Sequence, residues 1–125
     1  MNILFLDDCP SRTKIFRSQC PSAICLETAK DCIICLSKQD WDLVFLDHDL
    51  GGEIYSDQKN TNTGSEVVRW IIQNRPKIKQ VIVHSLNGPA RIAMCYDLKN
   101  AGYNVLDYPF AWLKSESFIN MMEDI

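Results

Sequence analysis

The sequence predicts a single doubly wound α/β domain, with five parallel strands in the order 2-1-3-4-5 alternating with five helices. Three observations predict it. Short, nearly continuous apolar runs recur along the chain and suit strands covered on both faces. Between them lie segments whose apolar residues keep the spacing of a helix. Most connections are short, as in successive βα units. Length and composition agree, since 125 residues with 46% apolar and 23% charged side chains make one ordinary globular domain, here residues 1–125.

The first strand is expected at Asn2–Leu6, and Pro10 stands where a first helical turn begins. Ala23–Leu26 is the second strand. Ala29, Cys32, Ile33 and Leu36 then fall at i, i+3, i+4 and i+7, with Thr28 and Asp31 placed as in a capping box. Leu43–Leu46 is the third strand. Val67, Val68, Ile71 and Ile72 repeat the helical spacing after a long connection. Val81–Val83 is the fourth strand. Pro89 opens a helix that carries Ala90, Ala93, Met94, Leu98 and Ala101 inward and stops at Gly102. Tyr103–Leu106 is the fifth strand, and Phe118, Met121 and Met122 mark a last helix capped by Ser115.

Charge and composition exclude several functions. A net charge of −3, from 13 basic and 16 acidic residues, argues against a footprint on duplex DNA but leaves room for a small phosphate-bearing ligand or an RNA end. The longest aliphatic runs are too short to cross a bilayer. Asp7 and Asp8 interrupt the first apolar stretch and no basic segment precedes it, so no secretory leader is expected and the location is expected to be cytoplasmic. The six cysteines are expected to be reduced thiols, many of them core residues, and Cys32-Ile33-Ile34-Cys35 to pack rather than do redox chemistry, because it lies mid-helix. Trp41, Trp70 and Trp112 are expected in or near the core.

In an open α/β sheet, ligands bind beyond the carboxyl ends of the strands near the topological switch point. The first strand delivers Asp7-Asp8 there, the third Asp47-His48-Asp49, the fourth His84-Ser85 with Asn87 and Arg91 beyond, and the fifth Asp107-Tyr108-Pro109-Phe110. Asp7, Asp8 and Asp47 would repel one another unless a divalent cation joined them, and Mg²⁺ held by one or two carboxylates and a phosphate oxygen answers that need, with Mn²⁺ as the alternative. His48 and His84 are the only histidines. They could act as acid and base on a phosphodiester or ligate a transition metal. Sharing a site with Asp47 and Ser85 requires the chain to have left strand geometry, because adjacent strand residues face opposite ways. Ser85, Asn87 and Arg91 surround the start of the fourth helix and could hold phosphate. Thr63-Gly64-Ser65 is a second, weaker phosphate candidate. The connection from Gly51 to Thr63 is long enough to be functional and is expected to close over substrate.

Leu4-Phe5-Leu6-Asp7-Asp8, Leu43-Val44-Phe45-Leu46-Asp47, Ser85 and Pro109-Phe110 resemble the receiver domain of bacterial response regulators, a flavodoxin-like fold, over essentially the whole chain. The resemblance implies that Asp7 or Asp8 binds metal, that Asp47 is a metal ligand or phosphoacceptor, that the Asp49 carbonyl completes the metal site, and that Ser85 supplies the switch hydroxyl. Tyr108 stands where such receivers carry a lysine. Phe45-Leu46-Asp47-His48-Asp49-Leu50-Gly51-Gly52, Asn62-Thr63-Gly64 and Val83-His84-Ser85-Leu86-Asn87 resemble a distinct branch, the cyclic-phosphate-processing receiver domain of bacteria and their phages. That resemblance implies a metal-assisted phosphoesterase acting on 2′,3′-cyclic RNA ends or cyclic nucleotides. Its catalytic residues would be His48, His84 and Asp47, its phosphate contacts Ser85, Asn87, Arg91 and Thr63, and its metal ligands Asp7, Asp8, Asp47 and Asp49. The alternatives are a docking or signalling module in which Asp47 accepts phosphate, and a sensor of cyclic nucleotides.

Overall fold

A computed structural model of the chain describes residues 1–50 and 61–108. Its elements are β1 (Ile3–Leu6), α1 (Pro10–Gln19), β2 (Ile24–Leu26), α2 (Ala29–Leu36), β3 (Trp41–Leu46), α3 (Gly64–Asn74), β4 (Ile78–Val83), α4 (Gly88–Asn100) and β5 (Val105–Asp107). The strands form one parallel sheet in the order β2-β1-β3-β4-β5, as expected. The expected last helix, Pro109-Phe110, Trp112 and most of the Gly51–Thr63 connection lie outside the described residues.

Two strands start earlier than their apolar runs. β3 begins at Trp41, which is buried and pairs with Ile78, so β4 begins there too. Polar residues hid these starts. Asp42 and Lys79 occupy the lower rim of the sheet and form an ion pair at 3.3 Å. Strand β5 runs on to Asp107, which pairs opposite Val83.

Side chains cap the starts of α2, α3 and α4. Thr28 Oγ1 accepts from the Asp31 amide, Thr63 Oγ1 from the Glu66 amide and Asn87 Oδ1 from the Ala90 amide, each at 3.2 Å. Beyond α4, Gly102 takes a φ of +94°, which glycine adopts without steric penalty.

The centre of the sheet is buried on both faces, and period two decides which residues go where. Phe5, Phe45 and Ile82 point to the α1 face and pack with Phe16. Leu4, Leu6, Val44, Leu46, Val81 and Val83 point the other way, toward α2, α3 and α4. Each such buried side chain contributes about 1.5–3 kcal/mol relative to an exposed one, so neither face can turn outward. All six cysteines are free thiols, and Cys32 is a core residue as expected. Among the described residues, no helix is long and apolar enough to cross a membrane.

Candidate functional site

The parity of the strands continues one step past their ends. Phe5, Phe45 and Ile82 share a face, and two residues beyond each stand Asp7, Asp47 and His84. Backbone bonds from Asp47 N to Leu6 O and from His84 N to Leu46 O, 3.1 and 3.0 Å long, carry the register to these residues. One ligand atom from each of Asp7, Asp47 and His84 lies within 4.8 Å of the others, and all three residues are buried.

Aromatic packing holds His84. Its ring stacks on Phe5 with centroids 4.9 Å apart, and Phe5 stacks on Phe16 at 4.1 Å. His84 Nε2 lies 3.1 Å from Asp7 Oδ2. From α1, Arg12 reaches into the same group. Its Nε donates to Asp7 Oδ2 at 2.7 Å and its Nη2 to Asp7 Oδ1 at 2.9 Å, while Nη2 also stands 3.4 Å from Asp47 Oδ2.

The two carboxyls respond differently. Burial pushes Asp7 up, but hydrogen bonds from His84 and Arg12 outweigh it and hold that carboxyl below its ordinary value. Burial dominates at Asp47, and the neighbouring Asp7 charge adds to it. The attraction of His84 and Arg12 offsets only part of this, and Asp47 is pushed up to about 6. The guanidinium of Arg12 is held even more firmly protonated than usual, chiefly by its hydrogen bonds to Asp7.

A family model described as the cyclic-phosphate processing receiver domain matches residues 2–100. The chain belongs to that family. No curated protein matches it. Among solved structures, the chain is similar to the signal receiver domain of a protein described as a Luxo repressor from Vibrio parahaemolyticus. That likeness covers 98% of this chain and 90% of the other, with a TM-score of 0.61 and 19% identity, and it concerns the fold.

Within this cyclic-phosphate processing receiver domain, the expected site residues divide between the two faces. Asp7, Asp47 and His84 are brought together. His48 is not brought to them, although sequence reading paired it with His84. It follows Leu46 by two and turns to the α3 face, where its Nδ1 and Ser65 Oγ are 2.9 Å apart and the ring is fully buried. Its backbone N–H, however, donates to Asp47 Oδ1 at 2.8 Å. Asp8 is one step off the parity of Asp7 and lies outside the cluster, half-buried.

The phosphate candidates engage one another and the ends of nearby helices and strands. Ser85 Oγ accepts from the Asn87 amide at 3.1 Å, and the Asn87 side chain caps α4 while donating to Asp49 Oδ1 at 3.3 Å. Arg91 donates to the Ser85 carbonyl at 2.9 Å and pairs with Asp107 at 2.6 Å. Thr63 is buried as the cap of α3, bridged to Asp49. Tyr108 packs, half-buried, against the aromatic face.

Sequence reading missed Arg12. One signal marks it, because Arg12 stands four residues before Phe16, the buried residue of α1, and so shares its inward stripe.

Two carboxylates and an imidazole whose ligand atoms lie within 4.8 Å of one another are donor types that a divalent ion accepts. Arg12 holds the same oxygens.

Proposed function

We propose that this receiver-like domain hydrolyses a cyclic phosphate at the Asp7–Asp47–His84 cluster. What carries the reading is His84, a buried imidazole bonded to one carboxylate and beside a second, Asp47, whose carboxyl sits near 6. An imidazole beside a carboxyl that burial holds above its ordinary value is the equipment of acid–base catalysis.

In this reading a water oxygen adds to phosphorus as one ring P–O bond breaks. One member of the Asp47–His84 pair takes the proton of the water, and the other gives a proton to the leaving ring oxygen. Asp7 fixes the orientation of the imidazole and stabilises its charged form. Arg12 is the most exposed member, with 26% of its side chain accessible, so it meets an incoming phosphate first and offsets its charge. An ion that displaced Arg12 from the two carboxylates would supply polarisation of a phosphoryl oxygen. His48 has a structural part, since its backbone amide donates to Asp47 and its ring ties the end of β3 to Ser65.

A cleft of about 540 Å³ opens beside Asp7, between α1 and the start of α2, and Lys14, Arg17, Glu27 and Asp31 line it. Its size is that of small-ligand sites, and its mixed polar wall suits the sugar and base of a nucleotide.

The test is an RNA oligonucleotide ending in a 2′,3′-cyclic phosphate, with a panel of cyclic nucleotides, followed by mass. Wild type should open the ring, and His84→Ala should lower the rate by about 10²- to 10⁴-fold while keeping the fold. His48→Ala should lose rate only in proportion to any loss of folded protein. Failure of wild type to open any of these rings overturns the reading. Thermal stabilisation by an unreacted ligand would then point to sensing. A mass gain from acetyl phosphate that Asp47→Asn abolishes would point to a phosphoacceptor.

A further inference from the structure

We propose that Arg12 is the resident cation of this site, and that its guanidinium and a divalent metal ion exclude one another from Asp7 and Asp47. The inference concerns binding and stands whether or not the domain cleaves a cyclic phosphate.

The bonds of Asp7 make the case. An ionised carboxylate offers about four lone-pair positions. Oδ1 of Asp7 accepts from the Cys9 amide at 2.9 Å and from Arg12 Nη2 at 2.9 Å. Oδ2 accepts from Arg12 Nε at 2.7 Å and lies 3.1 Å from His84 Nε2. All four positions are taken, so a metal–oxygen bond at Asp7 has to displace one of these donors. Against a carboxylate, His84 Nε2 must carry the hydrogen of that contact, so in this arrangement the same nitrogen cannot ligate a metal. Asp47 is engaged on both oxygens as well, by the His48 amide and, at 3.4 Å, by Arg12.

Of these donors, Arg12 is the one that an ion would replace. The Cys9 and His48 contacts are backbone amides, one at the N-cap of α1 and one just past β3, and the His84 ring is clamped on Phe5. Arg12 alone arrives on a long side chain partly open to solvent, and its charge does the work that a metal ion would do between two carboxylates. The fork of a guanidinium matches the two oxygens of Asp7, which a single ammonium does not. Its placement is built into α1, because Phe16, one turn on, anchors the helix in the aromatic stack.

The experiment titrates Mn²⁺ into the full chain and follows the free-ion signal by electron paramagnetic resonance. Wild type should leave Mn²⁺ free through low-millimolar concentrations. Arg12→Gln should bind one ion per chain roughly tenfold tighter or more, the scale on which partners of metal ligands change affinity. Mg²⁺ should compete for that ion, and adding Asp47→Asn should abolish the gain. Mn²⁺ should also raise the melting temperature of Arg12→Gln more than that of wild type.

Two results overturn the proposal. One is wild type binding Mn²⁺ at micromolar concentrations with loss on Asp47→Asn. The other is a folded Arg12→Gln that gains no affinity. Should Arg12→Gln fail to fold with and without Mn²⁺, Arg12→Lys decides. Its single ammonium leaves part of Asp7 open, so a smaller gain is expected, and a folded Arg12→Lys with no gain overturns the proposal.

Discussion

Asp47 ends β3 with its carboxyl buried against a second carboxylate, and pH exposes the consequence. Its value in the folded protein is about 6, above the ordinary 3.8. Between these values the folded chain holds a proton that the unfolded chain has released. The stability due to this residue therefore falls as pH rises through that window and is lowest above it. Asp7 has the opposite sign. Its value is lowered, so its contribution is present above the unfolded value and is lost as pH falls through the folded one. Asp47→Asn removes the first effect and leaves the second, and it keeps Oδ1 as acceptor for the His48 amide. We predict that this variant is more stable than wild type at about pH 8, by at most about 3 kcal/mol, and therefore melts higher. The gain should shrink as pH falls through 6 toward 4. Equal or lower melting at about pH 8 would show that Arg12 neutralises Asp47 more fully than burial penalises it. At this scale the sequence was partly legible. Asp7, Asp47 and His84 can be read as residues that follow strands. Arg12 belongs to a helix, and only the docking of α1 on the sheet makes it a member of the cluster.

Between elements, the start of α3 crowds the chain at the end of β3. A Cβ placed on Gly64 would stand 1.9 Å from the Asp47 carbonyl oxygen and 2.8 Å from Met94 Cε. The Gly64 amide donates to the His48 carbonyl at 3.0 Å, so the helix start is bonded to the strand it crowds. Thr63-Gly64-Ser65 reads in sequence as a phosphate cradle. In the structure Thr63 caps, Gly64 permits close approach and Ser65 meets His48. Gly64→Ala should cost about 1–3 kcal/mol or more, because backbone rather than a yielding side chain blocks the methyl group. Thr63→Ala, which removes only the cap, should cost about 1 kcal/mol. Urea midpoints with unchanged slopes would measure both, and a Gly64→Ala protein as stable as wild type would mean that α3 shifts without penalty. Close approach of two backbones is a relation between distant residues, so no local pattern announces it.

Across the whole molecule, the aromatic column Phe16–Phe5–His84 joins the core to the site. Phe16 is buried, and Phe16→Ala should lower stability by about 3–5 kcal/mol, a large part of the roughly 5–15 kcal/mol of an ordinary domain. It should also loosen the seat of His84, so the ring opening proposed above should fall per folded molecule. Undiminished activity in the folded fraction would separate core from site. The sequence by itself determined the sheet, its strand order and the edge at which the polar residues collect, because apolar periodicity and short connections are local properties that burial enforces. The lower ends of β3 and β4 escaped it, since their polar residues line a rim that exists only once the sheet is assembled. Tertiary structure alone decided which edge residues meet. Parity past the strand ends turns Asp7, Asp47 and His84 to one face and His48 to the other, and the docking of α1 brings Arg12 to the first. The physical reason is that side-chain direction alternates within a strand, whereas the neighbour that a side chain finds depends on which helix covers that face.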